Sequence, residues 1–209
     1  MVAAAQASSK TRDLAELRTA LGARRAPVVL TDGVVATGLE DLDRALAGGI
    51  PKGIIAAFEG RPSAGRTALA CRLLAQAQGR GLVAAVGMHG TFAVSLERAG
   101  IDLDRLLIVD ARTPTTIARS ADILIRSGAL AALALPAAAF PANAWTRLGM
   151  LAHRTGTIAL ALGEHAPAEL AAFAAVRVAL RIERVHWEGE SGLFCTLAGY
   201  DVRATVLKH

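Results

Sequence analysis

Aromatic side chains are scarce in this chain of 209 residues: Phe, Trp and Tyr together make up 4% of it. The volume they would fill falls largely to alanine. That points to close packing of small side chains and blurs helical periodicity, because Ala suits a helix and a core alike. Cysteine is nearly absent too. Cys71 and Cys195 sit in apolar surroundings without CxxC spacing, which excludes a disulfide framework and a zinc ribbon and fits a reduced, cytoplasmic compartment. The N-terminal MVAAAQASSKTRD has no apolar core of the signal-peptide kind. One stretch without charge, residues 127–146, carries Pro136, Pro141 and Asn143 and is mostly alanine, so it reads as a buried strand and a turn, and the protein as soluble. His89, His153, His165, His186 and His209 lack ligand spacing and have no Cys or carboxylate cluster beside them, so no metal site is expected.

What is present describes a globular domain of the larger kind. Hydrophobic residues make up 53% and charged residues 20%, enough to build a core. The net charge of +5 permits a nucleic-acid or acidic-protein partner without requiring one. The basic residues are scattered; the nearest thing to a cluster is Arg24-Arg25, in a stretch that reads as a solvated linker.

Short apolar runs alternate with helical patterns, the mark of βαβ units and a parallel sheet. Strands are expected at 54–58, 82–86, 106–109, 130–135 and 157–162, with helices at 67–78, 91–99, 116–127 and 143–155. From Val176 to Ile182 apolar and charged residues alternate, with Arg177 and Arg181 on the polar face. Glu188-Gly189-Glu190-Ser191-Gly192 then reads as a turn before a second run towards Val206, an antiparallel hairpin added to the parallel sheet. At the front, residues 13–21 form a candidate helix and 22–36 a linker, which sets residues 1–36 apart from a core of 37–209. The fold class expected is α/β, with a mostly parallel central sheet flanked by helices and an antiparallel C-terminal hairpin.

One motif carries chemistry. Gly60-Arg61-Pro62-Ser63-Ala64-Gly65-Arg66-Thr67 follows a strand and opens a helix, with the spacing of a phosphate-binding GxxxxGK[ST] loop but arginine in the lysine position. In such a loop glycines let backbone N–H groups face an anion, the helix N-terminus adds its dipole, and the threonine hydroxyl ligates Mg²⁺. Lysine is a compact point charge; Arg66 is planar, bulkier and differently aimed. A glycine-rich turn kept for packing alone fits the same eight residues.

The flanks extend the motif. Residues 37–53, TGLEDLDRALAGGIPKG, resemble the segment that precedes the P-loop in RecA, RadA and KaiC-type proteins. AGIDLDRLL, residues 99–107, resembles a RecA segment; residues 126–130 resemble the lead into the RecA Walker B strand, and 176–182 a late RecA strand. The order is colinear from Thr37 to Val206. The RecA resemblance puts Met88 where a glutamate activates water, Pro136 where an aspartate holds the Mg²⁺ shell, and Glu164 where a polar residue senses the γ-phosphate. Met88 is no base, Pro136 offers a metal no side-chain oxygen, and a carboxylate at 164 repels phosphate. With Arg66 these are four departures within a retained frame, and they imply lost hydrolysis.

The connections after Pro136 and after Gly163 are short, so the DNA-gripping loops of RecA are expected to be missing. Among RecA-like proteins the pattern resembles the ImuA family, on residues 37–53, 100–114 and 118–135. That resemblance implies an accessory protein of error-prone translesion synthesis. Its expected partners are RecA, an ImuB-like polymerase relative and an error-prone replicative-type polymerase, with DNA contacted at most indirectly and no membrane. No cofactor is expected, residual ATP or ADP on Gly60, Ser63, Ala64, Gly65, Arg66 and Thr67 aside. Arg177 and Arg181 are candidate partner contacts, Trp145 and Trp187 packing or interface aromatics. Two other functions stay open: an active RadA- or KaiC-type ATPase with an unconventional base, and a DNA-binding repair protein.

Overall fold

A computed structural model of the chain describes residues 33–89, 93–141, 143–189 and 195–209. The candidate helix at 13–21 and the Arg24-Arg25 pair lie outside them. The centre is a seven-stranded sheet in the order β5-β4-β6-β7-β3-β8-β9. Its strands are β3 (Ile55–Glu59), β4 (Leu82–Val86), β5 (Leu106–Val109), β6 (Leu130–Pro136), β7 (Ile158–Gly163), β8 (Val176–Glu188) and β9 (Thr196–Lys208). All pairings are parallel except β8 with β9. The α/β class, the parallel sheet and the C-terminal hairpin are therefore as the alternation of apolar runs implied.

The inner strands read as unbroken apolar runs because both of their faces are covered. Phe58, Leu73, Leu74, Ile158 and Leu160 gather on one side with α2 (Arg66–Ala77). Ile55, Leu133, Leu135, Trp145 and Leu148 gather on the other, with α4 (Pro114–Arg126) and α5 (Ala144–Thr155). Alanines at 56, 57, 84, 85, 132, 134, 159 and 161 are all buried, and without large side chains there the helices approach the sheet closely. Trp145 is the largest fully buried side chain. It stacks on Phe140 at 4.5 Å between ring centroids and donates its indole N–H to the Ala138 carbonyl. It is a packing aromatic; Trp187, by contrast, is exposed on the hairpin.

A capping box sets the start of α4. The helix expected from residue 116 begins two residues earlier, because Pro114 occupies its first turn and Thr113 and Thr116 cap each other's backbone N–H. Three short elements went unread in the sequence. A ribbon pairs β1 (Val34–Val35) with β2 (Ile50–Pro51), α1 spans Glu40–Ala45, and α6 spans Ala168–Phe173; α3 is Ala93–Arg98. Val35 is buried against the core, so the end of the expected linker is strand. Gly49 holds that ribbon closed: a Cβ there would lie 2.3 Å from the Val35 carbonyl oxygen. No helix among the described residues is long and apolar enough to cross a membrane.

Candidate functional site: a P-loop turn beneath a hairpin

β3 delivers the chain to the turn with its last residue, Glu59, buried. A carboxylate there needs partners. It accepts a hydrogen bond from Arg177 Nε at 2.7 Å and another from the Ala166 N–H at 3.1 Å. Burial pushes the Glu59 carboxyl up, but the Arg177 and Ala166 hydrogen bonds and the charges of Arg177 and His165 hold it below the usual carboxylate range. The same hydrogen bond raises Arg177. These contacts join the end of β3, the connection from β7 to α6, and β8 directly below the turn. Sequence reasoning missed Glu59, whose signal was a lone charge closing an apolar strand.

Gly60 opens the turn. Its N–H donates to the carbonyls of Gly163 and Glu164, each at 3.2 Å, which fixes the turn against the end of β7. A Cβ on Gly60 would lie 2.4 Å from the Leu180 carbonyl oxygen, so the glycine allows β8 to pass this close. Ser63 at φ 65° and Gly65 at φ 89° turn the chain in the left-handed region, and α2 starts at Arg66 with no side chain capping it. Its first backbone N–H groups therefore point out of the turn as donors for an anion. Arg61 and Thr67 are exposed and Arg66 is half-buried.

The hairpin roofs the turn. A Cβ at Gly65 would touch Val202 Cγ2 at 3.6 Å and Tyr200 Cε2 at 3.9 Å, both on β9. Between turn and hairpin runs an open cavity of about 700 Å³ lined by Arg61, Pro62, Ala64, Leu180, Arg181 and Ile182. Its cationic side chains and the end of α2 give it a positive character.

The positions named by resemblance gather at one edge of the sheet. Met88 follows β4, Pro136 ends β6 beside Leu162, and Glu164 follows β7. This is the carboxyl edge of the parallel strands, where open α/β sheets hold ligands. Met88 packs on the core. Together with Thr67, Cys71, Leu106, Ala134 and Leu162 it lines a gap of about 10 Å³, room for about one water. Its walls are apolar, and burial pushes the Cys71 thiol up from its ordinary value. Glu164 is exposed. The two candidate partner arginines part company: Arg181 is exposed, whereas Arg177 is committed to Glu59. β8 also lies inside the sheet, between β3 and β9, and β9 forms the edge. Residues 137–143 connect β6 to α5 and residues 164–167 connect β7 to α6, so both connections are short, as the sequence implied.

A parallel sheet whose first strand in chain order, β3, runs through a glycine-rich turn into a helix defines a P-loop α/β domain. The model of the RecA N-terminal domain matches residues 19–146, and the chain belongs to that family. It is 37% identical over 119 residues to Protein RecA of Brucella anthropi, covering 56% of this chain and 33% of that protein. To Protein RecA of Methylococcus capsulatus it is 41% identical over 98 residues, covering 46% of this chain and 28% of that protein. The chain thus matches about a third of the length of these relatives. A crystal structure of the RadB recombinase superposes with a TM-score of 0.59 at 16% identity, covering 70% of this chain and 83% of that one; it shares the fold.

Proposed function

We propose that the chain is a non-catalytic RecA-like accessory protein of the ImuA kind. It acts in the DNA-damage response and in error-prone translesion synthesis by binding RecA or polymerase components. The observation that carries the reading is what stands at the carboxyl ends of β4 and β6. Where hydrolysis needs a base and a metal anchor, the chain offers Met88 packed on core residues and Pro136 at the end of β6. Neither side chain takes a proton from water or holds a cation. RecA relatives matched over a frame of this extent supply the family setting, and DNA repair or recombination is its common ground.

Residual phosphate binding fits the same geometry. The turn keeps its left-handed residues, and the uncapped start of α2 keeps its donors, so ATP or ADP can sit without being cleaved. Arg66 takes the place of the lysine that would grip the β- and γ-phosphates.

The test pairs two assays on the full chain. Phosphate release from ATP is measured with and without single-stranded DNA, and RecA binding is measured by calorimetry. The reading expects no release and measurable RecA binding. Micromolar binding to single-stranded DNA that persists at physiological salt, without RecA binding, would favour a DNA-binding repair protein instead.

A further inference from the structure

β9 ends the sheet. Along its 13 residues it pairs with β8 on one side, and among the described residues no strand pairs with its other side. Such an edge presents a row of outward N–H and C=O groups. Natural edges are blunted by proline, by bulges or by charges of one sign, which repel a copy in any register. β9 contains no proline, and its ladder with β8 shifts register three times. Ala198 and Leu207 are extra on β9, Glu183 is extra on β8 opposite Val202 and Asp201, and Gly199–Val206 runs without an extra residue of its own. Its two charges there are opposite in sign and sit one on each side of Val202, the middle of the strand: Asp201 and Arg203.

We propose that β9 pairs antiparallel with β9 of a second copy of this chain, about a two-fold axis at Val202. In this register Asp201 of each copy stands opposite Arg203 of the other, Tyr200 opposite Ala204, and Gly199 opposite Thr205. Sliding the copies by two residues in either direction sets Asp201 against Asp201 or Arg203 against Arg203, and like charges directly opposite one another are unfavourable. The charge pattern thus selects the register centred on Val202.

β8 prepares the pairing. Arg203 Nε contacts Glu183 at 2.7 Å and Asp201 contacts His186 Nε2 at 2.9 Å, yet Arg203 remains 67% and Asp201 57% exposed. Arg181 stands directly opposite Arg203 within the hairpin, two guanidinium groups side by side that Glu183 offsets in part. The incoming Asp201 adds a second carboxylate to that cluster. A closed two-fold contact of this kind also removes the edge from further growth, because each copy has only one β9.

Sedimentation velocity on the full chain tests the proposal, with circular dichroism checking that each variant is folded. The wild type forms a dimer in a concentration-dependent manner. D201R and R203D each place like charges at both symmetric contacts and weaken the dimer about tenfold or more, while D201N and R203Q weaken it less. D201R mixed with R203D restores association as a heterodimer, since one copy then carries two arginines and the other two aspartates; the double variant D201R/R203D restores it within one chain. A wild type that stays monomeric at every concentration overturns the proposal. So do folded single variants that dimerise like the wild type, or a D201R and R203D mixture that fails to associate.

Discussion

Arg177 Nε donates a hydrogen bond to Glu59 Oε1 at 2.7 Å across 118 positions of sequence. The contact ties β8 to the residue that leads into the P-loop turn. The hairpin that roofs the turn is thereby anchored at its base by an ion pair with little access to solvent.

The first prediction concerns that pair. E59Q should cost about 2 kcal/mol, less than a fully buried pair would, because Arg177 keeps some contact with water. The folded Glu59 carboxyl lies below its unfolded value. Its stabilising contribution is therefore complete above the unfolded value of about 4.3 and is lost as pH falls through the lower folded value. Urea unfolding of wild type and E59Q should show a gap at neutral pH that closes below about pH 4. A gap that does not change with pH would show that the ion pair contributes nothing.

The second prediction separates the two candidate partner arginines. R181E should leave thermal stability unchanged and weaken RecA binding about tenfold, as expected for an exposed charge near an interface. R177E should lower stability first, since it sets two carboxylates against each other at Glu59. Equal loss of stability in both variants, by thermal unfolding, would contradict this division.

Much of the fold was legible because the sheet is covered on both faces. The apolar runs at 82–86 and 106–109 coincide with β4 and β5, and those at 54–58, 130–135 and 157–162 fall within a residue of β3, β6 and β7. The hairpin was foreseen but its length was not. Beyond Ile182 the strand is exposed on both faces, so no alternation of burial marks where it ends. α6 was missed because it has only six residues, three of them alanine, too few to show a helical stripe. The candidate turn was read from its glycine spacing between a strand and a helix, together with the flanking segment 37–53. The Glu59–Arg177 contact could not be read, since nothing in either segment names a partner so distant in sequence.

A third prediction tests the roof over the turn. G60A would force a Cβ against the Leu180 carbonyl oxygen, 2.4 Å away. That contact involves backbone and does not relax cheaply, so the variant should lose about 2–3 kcal/mol. G79A, where a Cβ meets nothing within 4 Å, should be neutral or slightly stabilising. Denaturant midpoints compare the two, and equal midpoints would mean that β8 does not press on the turn.

The packing of Trp145 gives a fourth. W145A removes the largest buried side chain, its stack on Phe140 and its bond to Ala138, and should cost about 3–5 kcal/mol. W145F should recover more than half of that. Unfolding free energies decide it, and a loss below 1 kcal/mol for W145A would contradict a packing role.

Steady-state phosphate release from ATP, with and without single-stranded DNA, tests the central claim most directly. On the reading proposed above, in which Arg66, Met88 and Pro136 replace the lysine, the base and the metal anchor, the wild type should release no phosphate above a protein-free control. R66K should gain none either, because general-base catalysis of about 10²–10⁴-fold would still be missing. Steady release by the wild type that disappears in R66A would contradict the account and return the chain to the ATPases.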